Sequence, residues 1–507
     1  MALQQYPKLV GEDLYGRVVY LLGSAELGMK NRPVKIENDY DLLRIFGTKG
    51  DLIDGYRQVK EGSENSIVYL CKVTGEHATA KLNVNVPGQE VIVPGGVVFI
   101  SAHAHEKYND IIVRLTSSHI SFTFPESLGL VQARYPLEDY PTLLQLMEAI
   151  NQDTQNGQNA VYMQCFTNPK ISSAAALHPV NPLEVQLYGG DSGLGWNKNQ
   201  LYHALDTAYT LLLGDDIDRI VPLGAFVDAM TFGPVQEYPM PSHDRLTLED
   251  DQGYLSFYRQ LLLFCRSQMS FGLITRGIMG FYTTSDKYLG GNLEGYLLYT
   301  QEALASNLAN AKDLTDAFGL IDVCVGDVYF DYGASLGNHY TAYAGLCSGL
   351  PLKEQSTNKA YQRSIVLRNE FQNEDFPVMM DSGLVGVRVS PLTDLVTIVN
   401  GVTTAPRTSD LHHTCNMNMI QITAYYIQRT FGKYLGENLT ALMKNRTMIN
   451  ELEAVLGYLK SKGIIEQYKA QIVEDEESGK VVYNLQLKTR YMIDFIGLSN
   501  SINYLKG

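Results

Sequence analysis

The sequence predicts an α/β protein, α+β overall, built from several domains: a central α/β layer, a β-rich subdomain, a C-terminal α+β domain and an extended arm at each end. Three observations predict it. Amphipathic helical runs alternate with short apolar strands between residues 181 and 330, the pattern of a largely parallel sheet. Short β runs divided by Gly/Pro turns fill residues 80–180. Two helical runs, about 411–435 and 437–462, and then a strand pair approach the C-terminus.

Residues 1–16 have no sustained periodicity and read as an arm. Val18–Leu22 and Ile67–Val73 read as buried strands, with a helix over Tyr40–Phe46 stopped by Gly47. Lys81–Val86 and Ile111–Leu115 alternate apolar and polar residues, as half-buried strands do. A helix over 141–151 is expected to carry Pro141 in its first turn, where the missing N–H costs nothing. Leu201, Leu205, Ala208 and Leu212 share one helix face before a strand at Ile217–Leu223. Tyr258, Leu262, Cys265 and Met269 share another before Leu273–Phe281. A helix around 293–318 precedes a single strand expected over Ile321–Phe330, and residues 351–380 read as a connecting loop. Met417, Ile420, Ala424, Ile427, Phe431 and Tyr434 recur at helical spacing. Leu442, Ile449, Leu452, Leu456 and Leu459 form the next seam, which ends at Gly463. Arg446 falls on that apolar stripe, so a break near Asn445 is expected. Residues 468–488 read as a hairpin around an acidic turn. The resulting boundaries are 1–16, 17–85, 86–180, 181–380, 381–490 and 491–507.

The 507 residues carry a net charge of −15 with no Lys/Arg-rich run, which argues against general nucleic-acid binding. No apolar run approaches a membrane span, and the first residues lack a signal-peptide pattern. The six cysteines are scattered and read as small buried side chains.

Motifs for chemistry are sparse. Gly190-Asp191-Ser192-Gly193 is similar to a serine-protease nucleophile loop, but the α/β context is wrong, and it reads as a flexible loop before a helix. His103 and His105, and His412 and His413, are the close histidine pairs; neither has a metal motif around it, and His413 reads as a helix residue. Asp215, Asp216 and Asp218 read as a solvated turn. No phosphate-binding glycine motif is present. No catalytic residue, cofactor or metal is expected, and the chain reads as a non-enzyme; the alternative is an α/β hydrolase-like enzyme with a β-rich accessory domain.

Residues 16–47 resemble the opening strand, Gly-rich turn and helix of contractile phage tail sheath proteins, the sheaths of contractile injection systems. Residues 185–205 resemble that family's Gly-Gly-Asp loop before a helix. Residues 218–226 and 262–280 resemble its next strand and helix–strand unit, and 328–360 its Tyr/Ala/Gly helix with the loop that follows. Asn400–Pro406, the paired helices and the hairpin resemble its C-terminal domain.

The resemblance implies a structural subunit that polymerises as stacked, six-fold rings around a tail tube and contracts to drive the tube through a host envelope for genome delivery. It implies self-association, contacts with tube, baseplate and tail-terminator proteins, no nucleic acid and no membrane insertion. It places the protein in the virion tail, after assembly in the host cytoplasm. Residues 381–490 become the sheath core domain. Two arms are expected to link subunits by adding strands to neighbouring sheets: Tyr6, Leu9, Val10 and Leu14 at one end, and Tyr491, Ile493, Phe495, Ile496 and Leu498 at the other. Lys444 and Arg446, with Arg429 and Lys433, are the candidates for facing the tube.

Overall fold

The computed structural model describes residues 18–85, 92–166, 168, 170–171, 181–227, 257–281, 318–331, 335–351, 354–368, 371, 375–381, 383–434, 446–475 and 480–488. Both expected arms, nearly all of the helix expected over 293–318, and Leu442 to Asn445 lie outside these residues.

The first strand, β1 (Val18–Gly23), is followed by β2 (Val34–Ile36), α1 (Asp39–Phe46), α2 (Asp51–Gly62) and β3 (Ile67–Lys72). Asn38 caps α1 through the Asp41 N–H, and Gly47 ends it at a φ of 81°. Seven strands come next: β4 (Thr79–Asn85), β5 (Ile92–Ser101), β6 (Ile112–Leu115), β7 (His119–Thr123), β8 (Ala133–Pro136), then, after α3 (Leu143–Gln155), β9 (Val161–Cys165) and β10 (Leu183–Gln186). The helix–strand series then runs α4 (Lys198–Leu211), β11 (Arg219–Pro222), β12 (Phe226–Val227), α5 (Phe257–Ser270), β13 (Arg276–Phe281) and β14 (Ile321–Cys324). It continues with β15 (Asp327–Phe330), β16 (Ser335–Asn338), α6 (Tyr340–Gly349), β17 (Val366–Leu367), α7 (Asp375–Asp381), β18 (Leu384–Val385), β19 (Val387–Val389) and β20 (Val396–Ile398). The C-terminal elements are α8 (Thr414–Phe431), α9 (Thr447–Ser461), β21 (Gln467–Asp475) and β22 (Lys480–Lys488).

The main sheet has the order β18-β14-β13-β11-β1-β3-β2, with β12 also pairing β13. All of its pairings are parallel except β2 with β3. Alternate residues of each strand feed two cores, which is why these strands read as continuous apolar runs. Leu22, Ile220, Met279 and Val323 face α4 and α5. Leu21, Leu70, Val221 and Ile278 face α2 and α6. Tyr340 to Ser348 of α6 are all buried. That helix meets α2 backbone to backbone: a Cβ on Gly345 would strike the Val59 carbonyl, and one on Gly62 the Ala342 carbonyl.

Two antiparallel sheets, β4-β5-β9 and β10-β6-β7-β8, enclose a separate core with α3. Phe99 and Phe122 meet there edge to face at 5.8 Å. Thr142 and Gln145 form a capping box at the start of α3. Pro141 therefore precedes the cap instead of occupying the first turn, a correction set by the stronger capping chemistry one residue on.

Two other expectations are revised. The single strand over Ile321–Phe330 is two: Gly326, at φ 120°, turns the chain out of the parallel sheet, and β15 joins the antiparallel sheet β16-β15-β17. The loop expected over 351–380 contains β17 and α7. Five of the cysteines are buried, Cys165 is half-buried and none is in a disulfide. Among the described residues no helix is long and apolar enough to cross a membrane.

Candidate assembly surface

The face that distinguishes this molecule lies at the amino ends of the parallel strands, where α8 is seated. Arg219 opens β11, Arg276 opens β13 beside it, and Asp322 sits near the start of β14. The three side chains are buried at 1% exposure or near it. Arg276 pairs with Asp322 and donates to the Asn418 side-chain oxygen (2.6 Å) and to the Thr414 carbonyl (3.2 Å). Arg219 donates to the same Asn418 oxygen at 3.2 Å. Burial opposes the Arg276 charge, but Asp322 beside it leaves the guanidinium pKa raised. One turn along, the Gln421 amide donates to the carbonyls of Asp218 (2.8 Å) and Ile274 (2.7 Å), just before β11 and β13. The N-terminal half of α8 is thus anchored by polar side chains that give carbonyls and guanidiniums their partners.

The other half of α8 is apolar. Ile422, Tyr426, Ile427 and Phe431 pack with Met448, Leu452, Leu456 and Leu459 of α9 in a separate core. Tyr468, Ala470, Ile472, Leu485 and Leu487 of the hairpin β21–β22 pack on it. The hairpin pairs nine residues on each strand, from Gln467↔Lys488 to Asp475↔Lys480. Gln467, Lys469, Gln471, Gln486 and Lys488 are exposed on its other face. Among the described residues neither strand pairs with a third.

Of the charged candidates, Arg429, Lys433 and Arg446 fall at the rim of this unit. Arg429 donates to Asp216 at 3.0 Å and stacks over Tyr425 at 5.2 Å. Lys433 pairs with Glu451 at 2.6 Å, tying the end of α8 to α9. Such exposed pairs contribute about 1 kcal/mol or less each. Arg446 is exposed at the N-cap of α9, in the left-handed region at φ 54°. The expected break is present, but it takes Arg446 off the apolar stripe. Lys444 and the arm residues Tyr6, Leu9, Val10, Leu14, Tyr491, Ile493, Phe495, Ile496 and Leu498 lie outside the described residues.

The motifs weighed for chemistry have structural partners. Ser192 is buried and its N–H donates to Glu106 at 3.0 Å. Its loop is not free: Asp191 bridges Glu76, and Gly190 packs where a Cβ would meet the His105 carbonyl at 2.6 Å. At the carboxyl end of β1, the Ser24 hydroxyl donates to Asp51 and accepts its N–H, filling the N-terminus of α2. Asp218 is buried and accepts from the Val18 N–H (3.4 Å), so only part of the acidic turn is solvated. His413 is the extended N-cap of α8, not a helix residue. No group of three or more potential metal ligands occurs among the described residues.

Sequence reasoning missed Asn418, Gln421, Arg219, Arg276 and Asp322. The available signal was a run of amides on a helix, with arginines at the openings of apolar strands.

No protein-family model matches the chain, and no curated protein matches it at a significant level. Solved structures do. A sheath tail protein from Listeria innocua superposes with a TM-score of 0.50 at 11% identity, over 93% of this chain and 94% of that one. A sheath tail protein from Desulfitobacterium hafniense gives 0.48 at 13% identity, over 97% and 99%. A chain of the anti-feeding prophage baseplate in its contracted state gives 0.48 at 11%, over 99% and 97%. Over 93% of its length the chain has the fold of the Listeria sheath tail protein.

Proposed function

We propose that the chain is a structural subunit of a contractile tail sheath. In this reading it polymerises helically around a tail tube, anchors on a baseplate, and shortens to drive the tube through a target envelope. The observation that carries the reading is the long hairpin β21–β22. It stands on its own small core, with no third strand on either edge among the described residues, in a chain with a sheath tail protein's fold. An open strand edge is a template for another strand. Residues 1–16 and 491–507 of neighbouring copies supply those strands. Backbone hydrogen bonds tolerate a change of subunit orientation that side-chain packing would not, so the links survive contraction. The energy of contraction is a difference between two subunit packings set at assembly, with no nucleotide required.

Arg429, Lys433, Lys444 and Arg446 supply the charged tube-facing rim, since exposed pairs release more readily than an apolar seal. Electron microscopy of the full chain at raised concentration, alone and with its tube protein, tests the reading. Hollow striated tubes are expected, and chains lacking both arms should remain folded monomers. Polymer that survives both deletions would remove the arms from the mechanism.

A further inference from the structure

The β-rich unit meets the α/β layer at a cluster of basic side chains that the assembly reading does not use. Lys72 ends β3 and is wholly buried; its amino group donates to the Ala104 carbonyl at 2.6 Å. The Gly28 N–H donates to His103 Nδ1 at 2.9 Å, and the Lys30 N–H donates to His77 Nε2 at 3.0 Å. On the other side of its ring, His77 Nδ1 faces the Ser101 carbonyl at 2.8 Å. Nδ1 therefore holds the proton, and Nε2 is free to accept. Both imidazoles must be neutral to make these bonds. Each bond joins the Gly28–Lys30 loop of the α/β layer to the β-rich side.

We propose that this cluster is an acid-released clasp: neutral His77 and His103 hold the β-rich unit against the Gly28–Lys30 loop, and their protonation opens that junction while the parallel sheet stays folded.

Protonation turns each accepting nitrogen into a donor aimed at an N–H. It also adds positive charge to a site already facing Lys30, Lys72 and Lys107, with His105 beside it. The anions around the cluster are Glu26, Glu76, Glu106 and Asp191. Glu106 and Asp191 are committed to the Ser192 N–H and the Trp196 indole. Burial, with Lys107 and Lys72 adding to it, pushes His103 down to about 3, and burial lowers His77 as well. Burial also brings Lys72 down to about 8, so the amine remains cationic at neutral and acid pH.

The sign follows from proton counting. The open state binds a proton near the ordinary value of 6.5, whereas the closed state binds one only near 3 at His103 and below the ordinary value at His77. Closure is therefore complete above that value and weakens as pH falls towards the closed-state values. His103 multiplies the opening equilibrium by up to about tenfold per pH unit in that window, and His77 adds to it in the same direction.

The chain's single tryptophan reports on the junction. Trp196 Nε1 donates to Asp191 at 2.8 Å, and the Lys30 amino group lies 5.3 Å from the ring centre. The experiment is an acid titration of the full chain, following Trp196 fluorescence and amide exchange corrected for intrinsic rate. The clasp requires protection at Gly28 and Lys30 to collapse at higher pH than protection in β1 and β11. Simultaneous loss across all of these would overturn it. In the His77→Gln, His103→Asn chain, whose amides keep neutral acceptors, the fluorescence transition should move down by at least about one pH unit. An unmoved transition would assign it to the Asp191 carboxyl and also overturn the proposal. Should that variant fail to fold, the exchange pattern of the unaltered chain decides.

Discussion

Asn418 offers one carbonyl oxygen to two guanidinium groups brought together by neighbouring strands. Asn418→Leu removes that acceptor from buried charged donors and should cost on the order of 3 kcal/mol, seen as a lower urea midpoint. Asn418→Asp keeps an oxygen in place and faces a carboxylate towards both cations, so it should cost clearly less. His339 gives an independent pH dependence. Burial lowers its pKa to about 4, while its Nε2 lies 3.2 Å from the carbonyls of Val325 and Val385. The folded state binds its proton more weakly than the unfolded one, so stability is full above 6.5 and falls as pH drops towards 4. His339→Gln should flatten this acid limb in denaturant titrations at several pH values. These roles were hidden in the sequence. Asn418 and Gln421 look like solvent-facing amides on a helix, and the groups that bury them lie more than 100 residues upstream.

At the scale of elements, glycine substitutions should act in opposite directions in two helices. Gly345→Ala puts a methyl against the Val59 carbonyl at the α2–α6 crossing and should destabilise by about 2 kcal/mol or more. Gly457→Ala in α9 meets nothing closer than the Tyr468 hydroxyl at 3.9 Å and should stabilise by about 0.5–1 kcal/mol. Urea midpoints of the pair check both signs. Arg446→Gly relieves a left-handed cap and should raise stability by up to about 1 kcal/mol in the same assay. The helices around residues 40–46, 201–212, 258–269, 417–431 and 449–459, and most parallel strands, were legible from apolar spacing, whereas the helix Asp51–Gly62 and the short strand Leu384–Val385 were not read. The division of residues 321–330 was not, since Ile321–Cys324 and Asp327–Phe330 are both strand-like. The turn at Gly326 and the different partners of the two strands separate their sheets.

For the whole molecule, the layered architecture was legible from the order of its elements, while its contacts were not. Arg429 could be read as a charged rim residue, but its partner Asp216 is 213 positions away. On the proposed sheath function, charge reversal at Arg429 together with Lys433 should weaken co-sedimentation with tube protein at low salt while leaving the polymer in place. Equal loss of both would remove these side chains from tube recognition. The seat of α8 has a mechanical consequence. A helix held only by an oily face can creep by a turn under load. Asn418 and Gln421 instead engage partners at fixed heights at the openings of β11 and β13, so the joint is keyed. A displacement of α8 along its axis is therefore resisted by hydrogen bonds at the strand openings, and not by apolar contact alone.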